Sequence, residues 1–448
     1  MCKIPPLSFL IIIILCTIAA GDEINTIDNE YPRIKIGFSE RLRLVTWDNA
    51  ITLADSAEGT NTFTRHRTSV MGRFFLDRNI EFGVKLTNEF RYYFVPETRD
   101  FDLDEIFFDQ LYIKWHNKYL LPGTLTIGRQ NIILGEGFVV MEGHPLDGSR
   151  SIYFNAVRYD WEINNNKKLT LFYSYQPETD EQLPIIHERD QALVEQPEEG
   201  IAAYFEGDFG ANNIHAYYIR KNVNPNEDGP QSEWSLNNIG LRLSRPLIEE
   251  LSVSGEGVYQ FGEYQMHGDM EYGTIKHDCS AFAGHIHFDY KTNWNSYLPQ
   301  TLIGGSFYYS GTDPNTDDIE SWFPLFERWP KWSESYIYTM IREQGVAWRT
   351  NITSLYGQVK FAFDENLKFN LAYHHLWANE GMSAGSIEET LLGGPGKDRG
   401  NLVIGKFIYN IDSHFSGHFL WEWFDPGDFY FPDADSYSWV RAELMYRL

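Results

Sequence analysis

Between Ile80 and Phe94 the chain alternates with a period of two. Ile80, Phe82, Val84, Leu86, Phe90, Tyr92 and Phe94 interleave with Glu81, Lys85, Glu89 and Arg91. On an extended strand that period puts the apolar set on one face and the charges on the other. On a helix the same residues would scatter charge around the whole circumference. The run is roughly fifteen residues, longer than a usual strand of a soluble sheet. An oily face of that length backed by charge suits a wall with lipid on one side and water on the other.

The arrangement recurs along the chain. Strands are expected at about 33–47, 63–75, 80–94, 107–116, 124–133, 150–160, 168–176, 200–208 and 212–222. Nine more follow at about 237–245, 251–264, 279–291, 300–310, 352–363, 367–377, 400–411, 414–424 and 436–447. Short turns such as Asp77-Arg78, Phe209–Gly210, Asp364–Asn366 and Asp412–Ser413 alternate with long polar connections such as 177–199 and 311–351. That asymmetry belongs to membrane barrels with short periplasmic turns and long outer loops. Backbone inside a bilayer must satisfy its own hydrogen bonds, which leaves helices or closed barrels. The expected fold is therefore all-β, a transmembrane antiparallel β-barrel of about eighteen strands. An even strand number places both ends of the barrel on the periplasmic side.

Composition agrees. Aromatics make up 16% of the chain while its mean hydropathy is −0.39, as expected where oily faces alternate with polar ones. Trp47, Tyr92, Trp115, Trp377, Trp421 and Trp423 fall near strand ends, where aromatic belts meet the membrane interface. Residues 1–20 read as a cleaved secretory signal: Lys3, an apolar run from Leu7 to Ile18, then Ala19-Ala20. Residues 21–448 read as one barrel domain. Cys2 and Cys16 lie in the signal, so Cys279 stands alone and no disulfide framework or cysteine metal site is expected. The formal charge of −26 excludes nucleic-acid binding through bulk charge.

The acid concentrates in the expected loops, from Glu178 to Glu199 and at Asp313, Asp317, Asp318 and Glu320. The faces expected to point inward carry Lys35, Arg41, Arg43, Arg65, Arg67, Lys85, Arg91, Arg158, Arg242, Lys360, Lys368 and Arg441. Glu81, Glu89, Glu256, Asp289, Glu422 and Glu443 stand against them. The stretch Pro122 to Gly137 sets a puzzle, because a strict count puts Arg129 on the apolar side with Leu125 and Ile127. A bulge near Gly128 would turn it inward. One reading is that charges of both signs brace the wall. The other is a basic lumen that concentrates anions, the planar guanidinium suiting carboxylate. On the second reading Arg43, Arg65, Arg67, Arg91, Arg129, Arg158, Arg242, Lys360 and Arg441 form a conduit, with Glu256 limiting how tightly an anion is held. Neutralising Arg129 or Arg158 should then lower anion selectivity.

Other constellations are weaker. His285 and His287 sit two apart on one strand face, a spacing at which two ligands can share a metal, and Asp289 continues the row. Sequence places no third ligand there, and a polar ladder explains the residues equally. The Asp313–Asp318 segment begins like a calcium loop but lacks the glycine and the distant glutamate, so calcium could at most order that loop. No other cofactor is expected. Gly135-Glu136-Gly137 precedes no helix and is no phosphate cradle. A barrel enzyme would have to be assembled from His374, His414 and Ser416, which nothing in their spacing favours.

Spaced motifs across the mature chain resemble the bacterial alginate export porins. They are Arg65-His66-Arg67, Phe108-Asp109-Gln110-Leu111, Gly128-Arg129-Gln130 and Phe154–Arg158. Further along come Gly255–Gly262 (GEGVYQFG), Ser310–Pro314, Phe323-Pro324-Leu325-Phe326 and Phe424–Asp428. Thr312 stands where that family commonly has Asp, and Leu448 where a terminal aromatic is usual. The resemblance implies an eighteen-stranded monomeric barrel in the bacterial outer membrane whose arginine-rich constriction passes a polyuronate.

The resulting expectation is a passive pore, not an enzyme, for an anionic polysaccharide or oligosaccharide of alginate type. A general porin for small anions is the alternative, and a lipid-modifying barrel enzyme the third reading. Expected partners are the acidic saccharide, outer-membrane lipid, the barrel assembly machinery and periplasmic export components.

Overall fold

The computed structural model describes residues 31–50, 53–54, 60–96, 105–117, 122–141, 150–189, 192–226, 232–267, 274–295, 297–327, 331–334, 349–382 and 393–448. The signal expected at 1–20 lies outside them. In chain order the strands are β1 Arg33–Asp48, β2 Asn61–Phe75, β3 Ile80–Val95, β4 Ile106–Asn117, β5 Gly123–Gln130, β6 Val140–Met141 and β7 Phe154–Asn164. Then come β8 Lys167–Gln176, β9 Glu198–Phe209, β10 Asn212–Val223, β11 Ser232–Pro246, β12 Leu251–His267, β13 Thr274–Lys291 and β14 Thr301–Tyr309. The last are β15 Phe326–Glu327, β16 Ile352–Ala362, β17 Leu367–Trp377, β18 Asp398–Asn410, β19 Phe415–Pro426 and β20 Tyr437–Arg447.

Eighteen of these form one antiparallel sheet in which each strand pairs with the next of the set along the chain. The sheet closes because β1 pairs with β20 as well as with β2, Arg43 lying opposite Glu443 on one side and Arg65 on the other. The two-residue strands β6 and β15 stand apart and pair with each other in parallel. No strand was expected at either place, because two residues carry no period.

The faces are inverted relative to a soluble sheet. On β3, Phe82, Leu86 and Phe94 are exposed while Glu81 and Glu89 are buried. The same holds on β11, where Ile239 and Leu241 are bare and Arg242 is buried. Apolar side chains turned outward need lipid around them, and charges turned inward need one another. The short turns show why they are short. Asp77 accepts hydrogen bonds from the amides of Asn79 and Ile80, Asp364 from Asn366 and Leu367, and Asp412 from His414 and Phe415. One aspartate at the head of each turn thus satisfies two amides that a reversing chain leaves open.

Several boundaries move. The strand expected at 150–160 starts at Phe154, because Tyr153 packs with Phe107 and Leu193 at the barrel rim. The strand expected at 124–133 ends at Gln130, beyond which the chain turns inward. Trp47 is no belt residue. It faces inward, buried, with its ring stacked 4.6 Å from that of Trp439 across the β1–β20 seam. Tyr92, Trp115 and Trp421 are exposed on the outer face, where a belt belongs.

Candidate functional site

Two of the long connections fold into the barrel and meet. In the first, Gly135 (φ 56°) and Gly137 (φ 74°) take left-handed backbone, a conformation that favours glycine. The Gly137 amide donates to Leu134 O and the Leu134 amide to Val140 O. The result is a tight loop with Glu136 at its tip and Phe138, Val139 and Val140 buried behind it.

The second connection supplies Phe323-Pro324-Leu325-Phe326. Gln260 of β12 donates to Phe323 O and accepts from the Phe323 amide, both at 3.0 Å. Lys221 of β10 donates to Pro324 O and Leu325 O. Phe326 sits edge-on to Phe154 and Phe172, over Gly200, where an added Cβ would lie 2.3 Å from the ring. Tyr204, Tyr217, Phe307, Tyr309, Trp322 and Trp332 complete this interior aromatic packing. Among the described residues, loop and wall together thus fill part of the barrel interior.

The charged side chains fall into two groups. In the first, wall meets wall. Arg43 donates to Glu443 at 2.7 Å, while Arg67 binds Glu89 at 3.0 Å and Asp109 at 3.3 Å. Arg65 lies 3.7 Å and Arg41 3.5 Å from Glu89, and Lys85 lies 2.6 Å from Asp109. Arg65 and Arg91 approach the Phe63 ring at 5.4 and 5.5 Å, and Arg91 also donates to the Tyr93 hydroxyl. Three cations, Arg41, Arg65 and Arg67, thus surround the buried Glu89 and compensate its burial. For Arg43, Arg65 and Arg67 the structure thus finds the bracing arrangement.

In the second group, wall meets loop. Arg242 of β11 donates to Glu136 at 2.6 Å, and Lys331 reaches the other carboxylate oxygen at 3.5 Å. Arg441 of β20 and Lys406 of β18 both pair with Glu334, the latter at 3.6 Å. Burial opposes ionisation of Glu136, but the Arg242 hydrogen bond, with Lys331 and Ser254, outweighs it and brings the carboxyl down to about 2. Glu256 accepts from the Tyr217 hydroxyl at 2.7 Å and stands opposite both Arg242 and His285. Arg158 is half-buried and pairs with Asp160 of its own strand at 2.9 Å. Lys360 is half-buried on the inward row of β16 that also holds Ile352, Ser354 and Tyr356.

Arg129 departs from expectation. Register through Gly128 is unbroken, with Arg129 opposite Leu111 and Asn155, so there is no bulge. Gly128 takes φ 117° instead, and Arg129 stays on the outward side with exposed Leu111 and Ile127. The residues from 177 on cover it there. Arg129 grips Asp180 with both terminal nitrogens, at 3.1 and 2.6 Å, and lies 3.7 Å from the Tyr153 ring centroid. Arg150 shares Asp180 and also binds Glu105. An arginine in the lipid-facing row is tolerated because its own rim loop neutralises it.

Sequence reasoning missed Glu136, Lys331, Glu334 and Arg349. The last is buried against Tyr309 and Trp332, and none of its guanidinium nitrogens has a hydrogen-bond partner among the described residues. The flanking glycines of Glu136 were the one available signal. At Asp313 the carboxylate closes its own turn on Asn315, through the amide and the side chain.

A closed eighteen-stranded barrel, bare and apolar outside, charged inside and partly filled by two outer loops, is an outer-membrane porin-type barrel. The chain belongs to the alginate export family, whose sequence profile matches residues 33–442. No match is found among curated protein sequences. Solved structures with the same fold include Pseudomonas aeruginosa OpdQ, at 12% identity and TM-score 0.59, covering 93% of this chain and 98% of that one. Pseudomonas aeruginosa OccK2 (OpdF) in complex with glucuronate is similar at 12% identity and TM-score 0.56, with coverage of 93% and 98%. Pseudomonas aeruginosa OpdK with vanillate is similar at 9% identity and TM-score 0.54, covering 92% and 98%.

Proposed function

We propose that this protein is a passive pore of the bacterial outer membrane for acidic saccharides, of alginate type by family, working by exchange of carboxylates. One observation carries the reading: cations of the inner wall, with Lys331 of the second loop, are clasped onto carboxylates of the infolded loops. Arg242 with Lys331 holds Glu136, and Arg441 with Lys406 holds Glu334. A uronate carboxylate presents the same planar pair of oxygens to the same guanidinium forks. Substrate can therefore take the place of each loop carboxylate without leaving a buried cation unpaired. Arg158 and Lys360 extend the attracting surface, Glu256 moderates it, and Arg43, Arg65, Arg67 and Arg91 hold the wall in shape and, with the buried Arg349, add positive potential. Arg129 is left out, since it pairs outside.

The test is the reversal potential of the purified protein in a planar bilayer, with and without polymannuronate. Anion selectivity with block by the polymer is the expected result. Cation selectivity would overturn the reading. Anion selectivity without block, but with block by glucuronate, would favour a second reading, a porin for small acidic sugars. The partly filled interior and a neighbour of like fold solved with glucuronate support that alternative.

A further inference from the structure

The tip of the first infolded loop meets a pair of histidines on the opposite wall. His285 and His287 face inward from β13, their rings parallel within 7° and 5.7 Å apart. Glu136 completes a cluster in which one ligand atom from each residue lies within 4.8 Å of the others. His285 is buried, its side chain 1% exposed, and neither ring nitrogen has a hydrogen-bond partner among the described residues. A buried imidazole without a partner forgoes its hydration for nothing in return. Glu256 Oε2 is 3.8 Å from Nε2 and is itself without a hydrogen bond among the described residues. Asp289 Oδ2 lies 3.2 Å from His287 Nε2, which leaves Nδ1 of that ring to the site. A carboxylate behind a ligating histidine is the usual way to fix its tautomer and raise its basicity.

We propose that Glu136, His285 and His287 form a three-residue site for a divalent transition ion of the zinc, cobalt or nickel class, with the fourth position left to water. Two imidazoles and carboxylate oxygen suit these borderline ions and not calcium or magnesium, which want oxygen throughout. Tetrahedral donors sit roughly 3.3–3.5 Å apart around an ion about 2.0–2.2 Å from each. The three clustered donors need to close by up to about 1.5 Å, and Glu136, on a loop tip, can turn towards the histidines by giving up part of its contact with Arg242 and Ser254. The nearby cations are balanced. Arg242 and Lys331 face Glu136, while Glu256 and Asp289 supply two further negative charges. An ion here links loop to wall, since Glu136 belongs to the infolded loop and both histidines to β13. It pins that loop inside the barrel and so stabilises the closed pore.

The experiment is a cobalt titration of the folded, untagged protein in detergent, followed by visible absorption, with zinc as competitor. One cobalt per barrel with intense tetrahedral bands, displaced by zinc, is expected. Affinity should fall roughly tenfold or more in His285→Gln, His287→Gln and Glu136→Gln, and stay unchanged in His414→Gln on a periplasmic turn. Glu136→Gln lies in a loop and leaves the wall strands untouched, so it remains informative if a histidine variant fails to fold. Absence of saturable binding, or equal affinity in the His285→Gln/His287→Gln double variant, would overturn the site. In single-channel records zinc should reduce open-state noise and a chelator restore it. Bound zinc without that change would overturn the pinning role.

Discussion

Arg242 and Glu136 are 106 residues apart in the chain and 2.6 Å apart in the fold. Their contact joins the wall to the loop that fills it, and Ser254 donates to the same carboxylate oxygen at 2.8 Å. Replacing either partner by glutamine frees the loop tip, so both single variants should show higher conductance and more open-state noise. The double variant should add little to either, giving a coupling of about 1.5–3 kcal/mol in a double-mutant cycle on loop opening. Strict additivity of the two single effects would show that the pair does not hold the loop.

The same carboxyl sets a pH expectation. Its folded-state pKa lies below the ordinary 4.5, at about 2. A depressed carboxyl contributes stability that is fully present above 4.5 and lost as pH falls towards about 2. His285 and His287 face it, Arg242 and Lys331 bind it, so the measurement uses the His285→Gln/His287→Gln background. There, open-state noise should hold constant down to about pH 4.5 and rise only below it. A rise beginning near neutrality would refute the assignment.

Arg129 and Arg242 should separate cleanly. Arg242→Gln removes a cation from the inner wall and is expected to lower anion selectivity. Arg129→Gln leaves selectivity unchanged, because its partner Asp180 covers it on the outer side. It should instead loosen the rim, since breaking a buried pair costs about 3–5 kcal/mol. Faster proteolysis within 177–193 is the readout. A selectivity shift in Arg129→Gln equal to that of Arg242→Gln would put Arg129 back in the conduit.

Phe326 owes its seat to the missing side chain at Gly200. Gly200→Val should expel the ring and with it the Phe323–Phe326 anchor, raising conductance. Phe326→Ala should do the same without touching the wall, at a cost of about 3–5 kcal/mol to loop packing. Unchanged conductance in both would mean that the second loop is held by Gln260 and Lys221 alone.

Trp439 on Trp47 closes the barrel seam between its first and last strands. Trp439→Ala should lower the urea midpoint of the folded barrel in detergent, by about 3–5 kcal/mol in stability. Ion selectivity should be unaltered, since neither ring carries charge. An unchanged midpoint would show that backbone pairing alone sustains the seam.

What could be read early, and what could not, follows from range. Alternation along Ile80–Phe94 is a property of neighbours, so the strand, its faces and the order of strands were all legible. The turn aspartates were legible for the same reason. The side taken by Arg129 was not, because a glycine at φ 117° and a bulge look alike in one dimension. Trp47 read as a belt residue because strand ends favour aromatics, and only its partner on β20 shows otherwise.

Sequence by itself determined the closed eighteen-stranded wall, since a two-residue period states which side of every strand must meet lipid and which must not. It also determined that arginines would point inward with carboxylates among them. Tertiary structure alone decided how those charges are spent. Arg43, Arg65 and Arg67 are matched across neighbouring strands, whereas Arg242 and Arg441 are matched by loops more than a hundred residues away. It also decided that Glu136 would meet His285 and His287. Loop carboxylates have no period and no fixed register, so their partners are set by where the chain can fold back into a barrel already closed.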